Sequence, residues 1–322
     1  MIHERIIISE KRSAYLDTYF NENYEEFHHS LRRPLIIVCP GGGYSYLSDR
    51  EGEPIALRFM AAGFNAMVLY YGIGEHAVAP GPLRDIAAAV ALARKNADTY
   101  HIDPNQIYVC GFSAGGHVAA TLGVYWNSDD ILPEYSGLHE DIRPNGMILG
   151  YPVINLKASS THLDMGLTTD TDLESYQFSQ KHPKMPLEKM FVFDEKEGRP
   201  FVDFEQAMNA YIFDGEFTDE QEEVYCLQHH VSADTPPAFI WHDAGDGLIY
   251  PSNSLDFASA LLRCGVDAEL HIFREGGHGI ALGTHVTEND PCQVHAPAMH
   301  WIDMAIDWVN DKSDFVAACD RA

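Results

Sequence analysis

Residues 108–117, Tyr108-Val109-Cys110-Gly111-Phe112-Ser113-Ala114-Gly115-Gly116-His117, run from an apolar strand signal through G-x-S-x-G into a helix signal. A strand-to-helix turn this tight holds its central residue in a strained backbone conformation with the side chain thrust outward. Glycines two before and two after it remove the Cβ atoms that would collide. Gln106 to Cys110 reads as a short buried strand. Ala114 to Tyr125, rich in Ala, Val and Leu with no proline, reads as a helix packed on a sheet. In that context Ser113 is expected to be a nucleophile rather than a serine in a glycine turn.

Strand-like runs recur at Leu35 to Cys39, Phe64 to Tyr70, Met147 to Tyr151, Ala238 to His242 and Glu269 to Phe273, with helical runs between them. Such alternation predicts a mostly parallel sheet covered on both faces. Leu83, Ile86, Ala87 and Val90 fall at i, i+3, i+4 and i+7 and give one connecting helix an apolar face; Asp103-Pro104 is read as closing that segment. Ile6 to Ile8 and Tyr15 to Tyr19 are expected to add antiparallel edge strands. Between residues 156 and 234 the rhythm breaks. Charged stretches such as Glu195-Lys196-Glu197 interleave with Phe191, Phe193, Phe201, Phe204, Tyr211, Phe213 and Phe217. The reading is one domain over residues 1–322 with a helical cap or insertion at 156–234, whose expected roles are substrate selection or contacts between copies in a homo-oligomer.

A serine hydroxyl needs a base to take its proton, and the base needs a carboxylate to fix its tautomer and stabilise its cation. After this kind of turn the expected chain order is Ser, then Asp or Glu, then His. Trp241-His242-Asp243-Ala244-Gly245-Asp246 leaves a buried strand for a loop, ahead of a helix from Ser252 to Arg263. Asp246 is the expected acid; Asp243 is the nearer competitor, its side chain expected to cap the turn. The next strand opens into Arg274-Glu275-Gly276-Gly277-His278-Gly279, where flanking glycines let His278 reach over Ser113. His117 and His242 are read as supporting hydrogen bonders. Acyl transfer also needs donors for a developing oxyanion. Pro40-Gly41-Gly42-Gly43-Tyr44 resembles the H-G-G-G loop of esterases with proline in place of histidine, and Gly42, Gly43 and the amide of Ala114 are the expected donors. No G-K-[ST] follows to make it a phosphate cradle.

The bulk numbers narrow the partners. A formal charge of −27, from 48 acidic against 21 basic side chains, argues against nucleic acid or an anionic membrane. No apolar run approaches a membrane span. The N-terminal stretch does not read as a secretion signal, and six scattered cysteines without a C-x-x-C pair suit a reduced, cytoplasmic setting. Cys39 and Cys110 end apolar strands, where a free thiol acts as a small hydrophobe. Of the 17 histidines, His285, His295 and His300 fall close together late in the chain without a metal-ligand spacing, so no metal is expected.

Taken with Asp103-Pro104-Asn105-Gln106-Ile107, Tyr151-Pro152-Val153, Thr235 to Asp246, Asn253-Ser254-Leu255 and Gly276 to Leu282, these motifs resemble the α/β-hydrolase superfamily. Within it they are similar to bacterial acetyl esterases and feruloyl-esterase-like proteins active on decorated plant sugars. The resemblance implies Ser113 as nucleophile, Asp246 as acid and His278 as base. Gly245 departs from it, standing where an acidic residue is often found. The expected activity is cofactor-free hydrolysis of short acyl esters, with an acetylated oligosaccharide or similar small molecule as substrate. A prolyl-oligopeptidase-like peptidase and a non-catalytic hydrolase-fold binding module are the rival readings.

Overall fold

Side chains alternate between two apolar cores along the central strands: Leu35, Ile37 and Cys39 face one, and Ile36 and Val38 the other. A strand buried on both faces needs helices above and below, and the chain supplies them. The computed structural model describes residues 1–24, 26, 31–157, 162–180, 184–289, 293–295 and 297–312. In chain order, β1 (Arg5–Ser9) and β2 (Ala14–Tyr19) precede β3 (Arg33–Cys39), α1 (Glu53–Ala61), β4 (Asn65–Tyr70), α2 (Gly81–Lys95), β5 (Ile102–Phe112), α3 (Ala114–Tyr125), α4 (His139–Ile142) and β6 (Gly146–Gly150). Next come β7 (His162–Leu163), α5 (Asp170–Ser179), α6 (Leu187–Met190), β8 (Phe191–Asp194), β9 (Arg199–Asp203), α7 (Phe204–Ile212) and α8 (Asp219–Val224). The chain continues with β10 (Ala238–Asp243), α9 (Ser252–Arg263), β11 (Ala268–Phe273) and α10 (Trp301–Lys312).

The large sheet has the order β1-β2-β4-β3-β5-β6-β10-β11. β1 and β2 are antiparallel additions at one edge, as expected, and the strands from β4 to β11 run parallel. Residues of α2, α3 and α9 join one core and those of α1 and α10 the other. This is the α/β-hydrolase fold. The second core is rich in aromatics: Trp241 stacks on Trp301 at 5.1 Å and both are fully buried. Truncating either to Ala should cost about 3–5 kcal/mol of stability.

Asp103-Pro104 does not close the preceding segment. It lies inside β5, which starts at Ile102, in a bulge where Arg33 and Leu35 pair with Ile102 and Ile107. A proline cannot donate to a ladder, and an irregularity of this kind is where a strand tolerates one.

Residues 156–234 carry short helices and, in addition, a three-stranded antiparallel sheet of order β7-β9-β8. A small apolar cluster of Met185, Met190, Val202, Ala207 and Ala210 holds it together. Local caps fix its helices: the Asp203 side chain accepts from Gln206 N at the start of α7, and Thr218 with Gln221 forms a capping box on α8. The parallel strands deliver their C-terminal ends to one sheet edge, the customary ligand edge of open α/β sheets. The loops carrying Gly42, Ser113, Asp246 and His278 all leave from it.

Candidate active site

Ser113 joins β5 to α3 with φ 52° and ψ −120°, a strained conformation for a residue with a side chain. The flanking glycines are sterically required. A Cβ on Gly111 would stand 2.2 Å from the Gly115 carbonyl oxygen, and one on Gly115 would stand 2.1 Å from that of Cys39. The turn therefore closes only with both glycines, and Ser113 Oγ projects at the head of α3.

His278, on the loop after β11, lies with Nε2 2.9 Å from Ser113 Oγ and Nδ1 2.8 Å from Asp246 Oδ2. Asp246 follows β10, and its side chain is fully buried. Oδ1 accepts from the amides of Leu248 and Ile249, both at 2.9 Å, while Oδ2 also receives His242 Nε2 at 3.1 Å. Burial alone would raise this carboxyl, but the electrostatic attraction of the adjacent His278 and the hydrogen bonds from His242 and His278 outweigh it and hold Asp246 well below the usual carboxylate range. An ionised Asp246 can only accept, so His278 donates from Nδ1 and its Nε2 is left to accept the Ser113 proton.

His242 and His117 both serve as hydrogen bonders. The His242 Nε2–H also faces the Ile249 carbonyl at 3.0 Å, so Nδ1 accepts from Ser254 Oγ at 2.8 Å. His117 donates from Nε2 to the Tyr225 carbonyl at 3.0 Å and accepts from Tyr44 Oη at 2.7 Å; burial lowers its pKa to about 4 and keeps it neutral.

Asp243 does not cap the turn. Only its backbone carbonyl takes part, accepting from Asp246 N at 3.1 Å. The carboxyl is fully buried, 3.3 Å from His295 Nδ1 without hydrogen-bond alignment. Burial, with Asp246 nearby, pushes it up to about 7. His285 lies beside Glu288, and among the described residues no three His, Cys, Asp or Glu side chains gather as a metal site. Cys39 and Cys110 are free and buried; Cys292 and Cys319 lie outside the described residues. Among the described residues, no helix is long and apolar enough to cross a membrane.

Above Ser113 and His278 opens a cavity of about 430 Å³. Gly42 and Gly43 form part of its wall, and among the described residues neither amide donates to a backbone carbonyl. Ala114, the first residue of α3, has an amide without an intrahelical acceptor. The 156–234 segment supplies Leu163, Met165, Tyr176, Gln180 and Phe204. The Phe204 ring stands over Gly43, where an added Cβ would come within 3.1 Å of Cζ.

Two supporting residues escape a reading of the sequence. Buried Glu51 accepts from Gly41 N through Oε2 at 2.8 Å and from Tyr151 Oη through Oε1 at 2.7 Å. Tyr151 Oη in turn accepts from Ala281 N at 3.0 Å, and its ring meets that of His278 edge-on at 5.0 Å. Arg50 donates to the carbonyls of Gly279 and Thr287. One carboxylate and its neighbour thus tie the glycine loop, the end of β6 and the His278 loop together. No local signal marks this, since Arg50-Glu51-Gly52-Glu53 reads as a solvated charged run.

Residues 16–186, just over half of the chain, match the family described as BD-FAE. Endo-1,4-beta-xylanase B of Butyrivibrio fibrisolvens is 31% identical over 256 residues, which cover 78% of this chain and 33% of that protein. An acetylxylan esterase of Xylanibacter ruminicola is 26% identical over 258 residues, covering 79% of this chain and 42% of that one. The chain thus spans a third to two-fifths of the length of these curated relatives. Over nearly its full length it superposes on a carboxylesterase from Lactobacillus plantarum WCFS1, with a TM-score of 0.75, 28% identity and coverage of 97% and 98% of the two chains. The chain belongs to the BD-FAE family and shares the α/β-hydrolase fold.

Proposed function

We propose that the protein is a serine carboxylesterase that removes short acyl groups, acetyl above all, from the hydroxyls of a sugar or related small alcohol. The observation that carries this reading is the continuous series Asp246 Oδ2, His278 Nδ1, His278 Nε2, Ser113 Oγ, with contacts of 2.8 and 2.9 Å. Ser113 Oγ attacks the ester carbonyl carbon as its proton passes to His278 Nε2. The amides of Gly42, Gly43 and Ala114 receive the oxyanion. Collapse breaks the bond to the alcohol oxygen, which leaves with the proton from His278, and Ser113 keeps the acyl group. Water then gives a proton to His278, attacks the acyl carbon and displaces Ser113, which regains its hydrogen as the carboxylic acid departs. Asp246 remains ionised throughout and faces the imidazolium in both half-reactions.

The sugar ester rests on different support. Family membership and the relative named acetylxylan esterase favour it. So does the lining of the cavity, where Tyr46, Tyr176 and Phe204 offer ring faces and Gln180 and Ser45 polar atoms. The 156–234 segment acts here as a cap that shapes the alcohol side. One panel tests the proposal: p-nitrophenyl esters of rising chain length, acetylated xylo-oligosaccharides and dipeptide amides. Turnover of acetyl esters, falling with acyl length, is the expected result. Preferential cleavage of the amides would replace the esterase reading with a peptidase one, and turnover of none would make the fold a binding module.

A further inference from the structure

We propose a second, non-catalytic binding groove for a neutral oligosaccharide chain, beside the catalytic cavity and built on Tyr70. The substrate class rests on the sugar-ester reading. A cavity of about 470 Å³ is lined by Arg12, Tyr15, Leu47, Tyr70, Tyr71, Glu75 and His76. It opens beyond the C-terminal end of β4, at the same sheet edge as Ser113. Tyr46 lines the catalytic cavity and Leu47 lines the groove, so consecutive residues, about 3.8 Å apart at Cα, form the wall between them. The groove is bound to the glycine loop on two sides: Tyr71 Oη donates to the Pro40 carbonyl at 2.7 Å, and Gly74 N to the Tyr44 carbonyl at 2.8 Å.

The lining points to the ligand. Tyr15 and Tyr70 sit opposite each other in the β2–β4 register and their rings stack at 4.5 Å. Arg5 covers the other face of Tyr15, 4.1 Å from its centroid. Among the described residues no ring or cation besides Tyr15 lies against Tyr70. The stack behind it holds that ring rigid, as a platform for the apolar face of a sugar ring. Anions find little here. Arg12 is paired at 2.6 Å with Asp85, whose side chain is fully buried, and His76 lies 3.7 Å from Glu75. The side chain of Glu75 is 68% exposed and adds an acceptor for hydroxyls at the rim. A chain whose ester sits at Ser113 and which crosses the 45–48 loop would lay its next residues on Tyr70.

The test compares p-nitrophenyl acetate with acetylated xylobiose and acetylated xylohexaose, using the native protein, Tyr70→Ala and Glu75→Ala. The native protein should prefer the hexaose through KM. Tyr70→Ala should raise KM for the hexaose roughly tenfold, the scale of one aromatic stacking contact. The biose and p-nitrophenyl acetate should stay within about twofold. Glu75→Ala, on an exposed turn where folding is not at stake, should show the same selectivity with a smaller loss. Equal losses on all three substrates, or no preference for length in the native protein, would overturn the groove. If p-nitrophenyl acetate is hydrolysed but neither acetylated sugar is, the sugar-ester reading fails. The groove is then judged by calorimetric titration with unacetylated xylohexaose. Saturable binding weakened by Tyr70→Ala upholds it, and no binding by the native protein overturns it.

Discussion

In the large sheet, β3, β5, β6 and β10 are shielded on both faces, and every residue of β3 and β10 is buried. In the small sheet of residues 156–234 most side chains of β8 and β9 are half-exposed, and Val202 alone among them is fully buried. The first region is held by long-range apolar packing. The second rests on a small apolar cluster, on helix caps and on surface ion pairs such as Lys189–Glu216 and Arg199–Asp164, which solvent weakens. The division matches the chemistry. Groups that must stay fixed within fractions of an ångström leave the rigid sheet edge, while the small sheet and the residues beside it contribute walls to the cavity. Mutations at the sheet edge should therefore change kcat, and mutations in the 156–234 segment should change KM.

The hardest test of that division is at its centre. Ser113→Ala should lower kcat on the order of a million-fold with thermal stability unchanged, measured on p-nitrophenyl acetate. Ordinary turnover by the folded variant would remove Ser113 from the mechanism. Asp246→Asn should cost about ten-thousand-fold, because an amide facing Nδ1 favours the wrong tautomer and no longer balances the imidazolium. Asp243→Asn, three residues earlier, should stay within a few-fold of native. The reverse ranking would transfer the acid role to Asp243.

Glu51 gives the next largest effect. Glu51→Gln places an amide nitrogen opposite a donor that the carboxylate had accepted from, either Gly41 N–H or Tyr151 O–H, which unties one of the two loops. A displacement of about 1 Å in a reacting group costs on the order of a hundredfold. That loss should fall on kcat with KM little changed, and labelling of Ser113 by a phosphonate should slow in parallel. An unchanged kcat would show that the glycine loop and the His278 loop hold their places without it.

What is legible in the sequence follows the same boundary. The strands, α3 and α9 can be read to within a few residues, because burial on two faces and helix periodicity leave local patterns. Ser113, Asp246 and His278 can be named because each sits just past such a strand, and the structure brings them into contact. Glu51 cannot, since its partners lie 10 and 100 residues away and nothing local distinguishes it from Glu53. Asp243 misleads for a related reason: an Asp at the end of a strand resembles a turn cap, and only tertiary packing buries its carboxyl instead. The small sheet escapes notice because its strands are short and carry no sustained alternation.

Phe204 tests the other side of the comparison. Phe204→Ala removes the ring over Gly43 but leaves the hydrogen-bonded series from Asp246 to Ser113 intact. KM for an acetylated sugar should rise about tenfold, the low end for deleting one group from an apolar pocket, with kcat on p-nitrophenyl acetate near native. A fall in kcat on the small ester instead would mean that the 156–234 segment helps position the glycine loop, and that the two regions do not divide the work between rate and binding.

Asp243 bears on stability rather than rate, and with the smallest effect. Its native carboxyl is held up to about 7 by burial and by Asp246, against about 3.9 for an unfolded chain. Below about pH 4 the group is protonated in both states and contributes no difference. Between about pH 4 and 7 the native state binds more protons than the unfolded one, so stability falls as pH rises through that window and levels off above it. Asparagine keeps the shape and cannot ionise. Asp243→Asn should therefore match the native protein near pH 4 and become the more stable of the two with rising pH, by about 5 °C in Tm at pH 8. Thermal melts of the two proteins across that range decide it. A gap that stays constant with pH would mean that Asp243 is not held as a neutral buried acid in the native state.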